Sequence, residues 1–268
     1  MKRIASILAI LLLTASVFAG GTQESSTGDD SLKYIMEKGE IVLGLDDSFP
    51  PMGFRDTNGE IAGFDIDLAK EVSKRLGVEL KLQPIDWDAK ILDLNSKDID
   101  MIWNGLSISD ERREKIDFSK PYIANRQIIM VQAGSEINLK SDLSGKKVGL
   151  QLGSTAEDAV KSDAPVMESF TELVKYQDNV QALMDLEVGR IDAVVVDEIL
   201  GRYYQSGKPD VYTVAEDFFA AEEYGIGFRK GELALIHAVD QVIDQMVADG
   251  TAAEISGKWF AKDILLAR

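Results

Sequence analysis

The chain has 268 residues, with 46 acidic against 29 basic side chains and a net charge of −17. That balance excludes a nucleic-acid partner, whose phosphates it would repel, and suits an anionic membrane surface poorly. Cysteine is absent and histidine occurs once, at His237. Disulfides, thiolate metal sites, a Cys nucleophile and a lipidated Cys are therefore excluded. His237 lies in a helical pattern far from any Gly-x-Ser-x-Gly context, which argues against a Ser-His-Asp triad. No His/Glu pair has zinc-ligand spacing, and no metal or cofactor is expected.

Residues 1–19 have the pattern of a signal peptide. Lys2 and Arg3 form a positive start, Ile7 to Leu13 a short apolar core, and Val17-Phe18-Ala19 a cleavage site. The apolar run is too short for a comfortable membrane span. Residues 20–31, rich in Gly, Ser, Thr and Asp, are predicted as a flexible tether. Ile41 to Leu45 is then predicted as a buried strand. Asp65 is placed to cap a helix whose Leu68, Ala69, Val72 and Leu76 share a face, with Gly77 at its end. Val78 to Ile85 alternates as a strand, Ala89 to Leu94 begins a helix, and Asp100 to Trp103 is a third strand. This βαβαβ order implies a parallel sheet with helices on both faces.

The pattern repeats downstream. Gln127 to Val131, Lys147 to Leu150, Asp192 to Val196 and Tyr224 to Phe228 are predicted as strands. Thr155 to Lys161, Asn179 to Val188, Ile199 to Tyr204, Leu233 to Asp249 and Ala252 to Phe260 are predicted as helices. About 250 mature residues fit two α/β lobes. Polar residues gather just after predicted strands. Asp46 and Phe49 follow the first, Trp87 the second, and Asn104, Gly105 and Ser107 the third. Gln151, Ser154 and Thr155 follow a strand of the second lobe, and Asp197 follows another. Ligands of open α/β sheets sit beyond the carboxyl ends of the strands, so two facing lobes would bring these turns to one cleft.

Six motifs in fixed order carry a resemblance. They are Gly63-Phe64-Asp65-Ile66-Asp67-Leu68, the run from Asn104 to Arg113, Ile116-Asp117-Phe118-Ser119-Lys120-Pro121-Tyr122, Gly149 to Thr155, Asp192 to Asp197, and Tyr224-Gly225-Ile226-Gly227-Phe228. Over roughly residues 35–262 the chain resembles the periplasmic solute-binding proteins of polar amino-acid ABC transporters, family 3. The resemblance implies a two-lobe periplasmic-binding-protein-like (type II) α/β fold with a two-crossing hinge. Lobe one would comprise 32–123 plus 225–268 and lobe two 127–221. The hinge would lie near 123–127 and 222–224, with Tyr224 on its return. A monomer that delivers an amino acid to a membrane permease is implied, exported to the periplasm.

A free amino acid carries a carboxylate and an ammonium. Arg112 can grip the carboxylate as a planar fork, and the amides opening the helix at Ser154 and Thr155 favour an anion. Asp197 supplies the counter-charge to the ammonium, with Asn104, Gly105 and Ser107 as further acceptors. Phe49 and Trp87 would sandwich the ligand side chain, and Asp46 would lie near its tip. Each residue also fits a plainer role: Arg112 a solvated charge, Asp197 a helix cap, Asp46 a turn residue, Phe49 and Trp87 core aromatics. Asp65 and Asp67 are predicted as structural, at the first turn of their helix. Gln151 stands where some relatives carry a cation and Asn104 where many carry a small residue. Asp46 and Asp197 make the cleft acidic. That favours a neutral or cationic side chain with donors, such as glutamine, lysine, arginine, histidine or cystine. The alternative is an enzyme on the same scaffold, similar to periplasmic cyclohexadienyl or arogenate dehydratases. Those act on anionic substrates, for which extra basic groups would be expected.

Overall fold

The computed structural model describes residues 28–267. The predicted signal peptide and most of the 20–31 tether lie outside the described residues. At the near end of that tether, Ser31 already begins a helix, Ser31–Lys38. Its start is tied to the helix Leu233–Ala248, because Ser31 Oγ accepts from Leu235 N–H at 3.1 Å and Asp29 accepts from Ala234 N–H.

Two five-stranded sheets form the two lobes. The first runs, edge to edge, Glu79–Pro84, Glu40–Leu45, Met101–Ile102, Gly227–Arg229 and Ile116–Phe118. Its first three strands are parallel, as the βαβαβ pattern predicts. The last two run antiparallel to their neighbours, so the sheet is mixed. The second sheet runs Glu172–Tyr176, Lys147–Gln151, Ala193–Asp197, Ile123–Gln132 and Tyr212–Tyr224. It too is parallel on one side and antiparallel on the other. The strand Ala193–Asp197 is buried along its whole length. Its valines fill both faces, as expected of an inner strand covered by helices.

The predicted strand Tyr224 to Phe228 is in fact two elements. Tyr224 ends the long strand Tyr212–Tyr224, and Gly227–Arg229 pairs in the other sheet. Between the sheets, Ile123, Ala124 and Asn125 pair with Tyr224, Glu223 and Glu222. The chain therefore passes between the lobes on two antiparallel segments that are bonded to each other.

The helix Phe64–Leu76 shows why its motif is so constrained. Asp65 does not cap it; the N-cap residue is Gly63, and no side chain bonds the helix start. Carbonyls of Pro51 and Met52 accept from Phe64 and Asp65 N–H instead, at 2.8 and 3.0 Å. The close approach requires glycine at 63, where an added Cβ would stand 2.1 Å from the Met52 carbonyl oxygen. Freed from capping, the Asp65 carboxylate is fully buried. It accepts from Gly105 N–H at 2.8 Å and from the Tyr122 hydroxyl at 2.8 Å. Asp67 turns outward and accepts from Trp259 Nε1 at 2.9 Å. Among the described residues no helix is long and apolar enough to cross a membrane.

Candidate functional site

The turns that leave the carboxyl ends of the strands in both sheets meet around one small cavity, of about 10 Å³ with the lobes together as they are here. Asp46, Phe49, Trp87, Asn104, Gly105, Ser107, Arg112, Gln151, Ser154, Thr155 and Asp197 all line it. These are the eleven positions singled out in the sequence. A larger groove, about 610 Å³, lies between Trp259, Phe260 and Tyr203. Of its charged lining residues, Glu198 pairs with Arg126 and Arg202, and none is buried. It has none of the unmatched buried charge found in the smaller cavity.

Arg112 sits in the short helix Asp110–Lys115, started by the Ser109 hydroxyl, which accepts from Arg112 N–H. Its guanidinium is buried, donating to the Ser107 carbonyl at 2.8 Å and to the Gly153 carbonyl at 3.3 Å. Among the described residues no carboxylate comes within ion-pair distance of it; burial lowers its pKa. An uncompensated buried cation is costly and calls for an anion.

Asp197 closes the buried valine strand and is itself buried. Its Oδ1 accepts from Asn125 Nδ2 at 2.5 Å, Gln127 Nε2 at 3.1 Å and the Tyr224 hydroxyl at 2.7 Å. No cation pairs with it among the described residues. Burial, then the neighbouring Glu222 charge, pushes its pKa above the ordinary aspartate range. The cavity thus has an unpaired guanidinium and an unpaired carboxylate on its walls, complementary to a zwitterion.

At another wall, Asp46 takes Ser48 N–H at 2.9 Å and the Ser48 hydroxyl at 2.6 Å on Oδ1. Gln151 Nε2 donates to its Oδ2 at 2.8 Å, and Asn179 Nδ2 in turn donates to Gln151 Oε1 at 2.9 Å. This chain joins the two lobes. Burial raises the Asp46 pKa. Asn104 faces the adjoining turn: with its amide turned over it donates to the Asp46 carbonyl at 3.0 Å and accepts from Gly53 N–H at 2.9 Å. Phe49 and Trp87 are both buried beside the cavity. Ser154 caps the helix Thr155–Ser162, its Oγ accepting from Glu157 N–H, so that the helix start faces the cavity.

Several residues at the site were not legible in the sequence. Lys90 is buried, and its ammonium donates to the Trp87 carbonyl at 2.7 Å and to the Gly153 carbonyl at 2.9 Å. It lies 4.8 Å from the Trp87 ring centre. Burial, then the neighbouring Arg112 charge, lowers its pKa to about 6. Gly153, from lobe two, therefore docks its carbonyl on two lobe-one side chains, Arg112 and Lys90. Tyr224, predicted on the hinge return, pairs with Ile123 between the two sheets, and its hydroxyl donates to Asp197. Glu222, on the same strand, accepts from both Ser107 and Thr155. Among the described residues no cluster of His, Cys, Asp and Glu could hold a metal ion.

Comparison with known proteins agrees with this geometry. The chain is 35% identical over 255 residues to the L-cystine-binding protein TcyJ of Escherichia coli (strain K12), covering 94% of each. Among solved structures it is similar to an ABC uptake transporter substrate binding protein from Streptococcus pneumoniae with bound histidine. That match has a TM-score of 0.86 and 34% identity, covering 90% of this chain and all of the other. It is also similar to the ancestral amino acid-binding protein AncCDT-1, a precursor of cyclohexadienyl dehydratase, with a TM-score of 0.79 and 36% identity over 86% of this chain and 99% of the other. Residues 41–262 match one family throughout. With both lobes, the interlobe cavity and the ordered motifs in place, the chain belongs to the bacterial extracellular solute-binding proteins, family 3.

Proposed function

We propose that this protein captures a polar amino acid, neutral or cationic in its side chain, and delivers it to the membrane permease of an ABC importer. It works as an exported periplasmic monomer without a cofactor. The observation that carries the reading is the pair of unmatched buried charges, Arg112 and Asp197, on the walls of one cavity. In this reading the ligand carboxylate lies on the Arg112 guanidinium, and on the amides at Ser154 and Thr155. The ammonium lies on Asp197, with Ser107 and the turn at Asn104 and Gly105 alongside. Phe49 and Trp87 flank the side chain, and the Asp46–Gln151 pair meets its tip. A ligand that touches groups of both lobes favours the form in which the lobes are closed. The known binding of cystine and histidine by relatives supports a side chain with polar atoms.

A thermal-shift screen of the refolded, ligand-stripped protein tests this. A ligand that binds only the folded state raises its melting temperature by mass action. Stabilisation by glutamine, lysine, arginine, histidine or cystine is expected, and none by aspartate or glutamate. A screen in which only glutamate stabilises, or no amino acid does, contradicts the reading. The similarity to a dehydratase precursor makes an enzymatic reading worth the same care. Two acids and one base among the lining residues disfavour an anionic substrate. Incubation with prephenate is expected to yield no aromatic product; turnover would reverse the assignment.

A further inference from the structure

Glu222 stands outside the row of residues that line the cavity, yet it holds two of them. The Ser107 hydroxyl, from lobe one, donates to Glu222 Oε2 at 2.6 Å. The Thr155 hydroxyl, from lobe two, donates to the same oxygen at 3.0 Å. Gln127 Nε2 donates to it at 3.0 Å and also to Thr155 Oγ1 at 3.2 Å. Glu222 lies on one of the two segments that join the lobes, paired with Asn125.

A hydroxyl has one proton and two lone pairs. Once that proton is committed to a carboxylate, the oxygen can only accept from any further partner. We propose that Glu222 is a positioning residue that fixes the Ser107 and Thr155 hydroxyls as acceptors beside Asp197, so that the cleft reads a primary ammonium with three N–H donors. This rests on the ammonium site assigned under the proposed function. Three acceptors from three elements would meet one N–H each. A ligand with a hydroxyl in place of the ammonium carries a single proton and leaves two buried acceptors unsatisfied, which sites of this kind reject strongly. Because Ser107 and Thr155 come from opposite lobes, the arrangement is complete only when the lobes are closed. Glu222 thereby couples recognition of the ammonium to closure.

The test is calorimetric titration of the whole protein and its Glu222→Met variant with L-glutamine, L-arginine, L-histidine and L-cystine. Each is compared with its 2-hydroxy counterpart. Methionine keeps roughly the size of the side chain but carries no acceptor oxygen, so the two hydroxyl protons and the Gln127 amide lose the single oxygen they share. Affinity for a bound amino acid should fall about tenfold, and affinity for the hydroxy acid by less than about twofold, so the preference between the two drops about tenfold. In a Ser107→Ala background the same change at 222 should cost clearly less than it does alone, as expected for coupled groups. An unchanged preference, or effects at 222 and 107 that simply add, overturns the role of Glu222 while leaving the proposed function standing. A protein that binds none of the four amino acids overturns both.

Discussion

At the scale of single residues, buried charge decides the chemistry. Arg112 and Asp197 are both buried and lack an ion-pair partner among the described residues, an arrangement that destabilises the empty protein and is relieved by a zwitterion. Arg112→Met should therefore weaken amino-acid binding by about 2–5 kcal/mol, roughly thirtyfold or more, with little loss of melting temperature. Calorimetry showing unchanged affinity would remove Arg112 from the site. Asp197 makes binding depend on pH, because only its ionised form balances an ammonium. Its pKa is raised by burial and by the Glu222 charge, so it takes up a proton at a pH where an ordinary aspartate is still ionised. Affinity should thus fall as the pH drops from neutral to mildly acidic, and Asp197→Asn should bind weakly with that slope gone. A flat profile in the unaltered protein contradicts the assignment. The lining residues were legible because each follows a strand or falls in an ordered motif. Lys90 was not, since a lysine in a helical run reads as solvent-exposed. Glu222 was hidden because register shifts between Val214, Phe218 and Ala220 break the alternation that marks a strand.

At the scale of elements, turns do the work and helices hold them. No residue of the motif from Gly63 to Leu68 lines the cavity; the motif places Asp65 where the carboxylate fixes Gly105 N–H beneath it. Sequence identified it as structural but assigned it the wrong duty, since a capping aspartate and a buried one leave the same local pattern. Burial raises the Asp65 pKa to about 7, and only the tertiary partners Gly105 and Tyr122 account for the site it occupies. Gly153 is the matching device on lobe two. Its backbone has φ of 68°, and an added Cβ would lie 2.9 Å from Asp88 Cα of lobe one. Gly153→Ala should therefore obstruct closure more than folding: affinity falls at least about tenfold while the melting temperature of the unliganded protein drops by only a few degrees. Full affinity in that variant would mean that the lobes bind ligand without this contact. The parallel halves of both sheets were readable from βαβ order. Their antiparallel edges were not, because segments that return from the other lobe carry no local sign of direction.

At the scale of the whole molecule, polar contacts bridge the two lobes beside an apolar cluster that runs through both. Asp46 with Gln151, Arg112 and Lys90 with Gly153, and Ser107 with Glu222 all bridge turns or segments that belong to different sheets. Polar contacts of that kind break and re-form more readily than an apolar core. The two antiparallel segments that pair Ile123 with Tyr224 supply the continuous backbone about which such motion can occur. The most direct measurement is a crystal structure of the protein with the amino acid that stabilises it most. The clasp predicts the ligand carboxylate in a paired contact with the Arg112 guanidinium and the ammonium within hydrogen-bond distance of Asp197, between closed lobes. A ligand bound elsewhere, or one whose carboxylate and ammonium leave Arg112 and Asp197 unpaired, would contradict it.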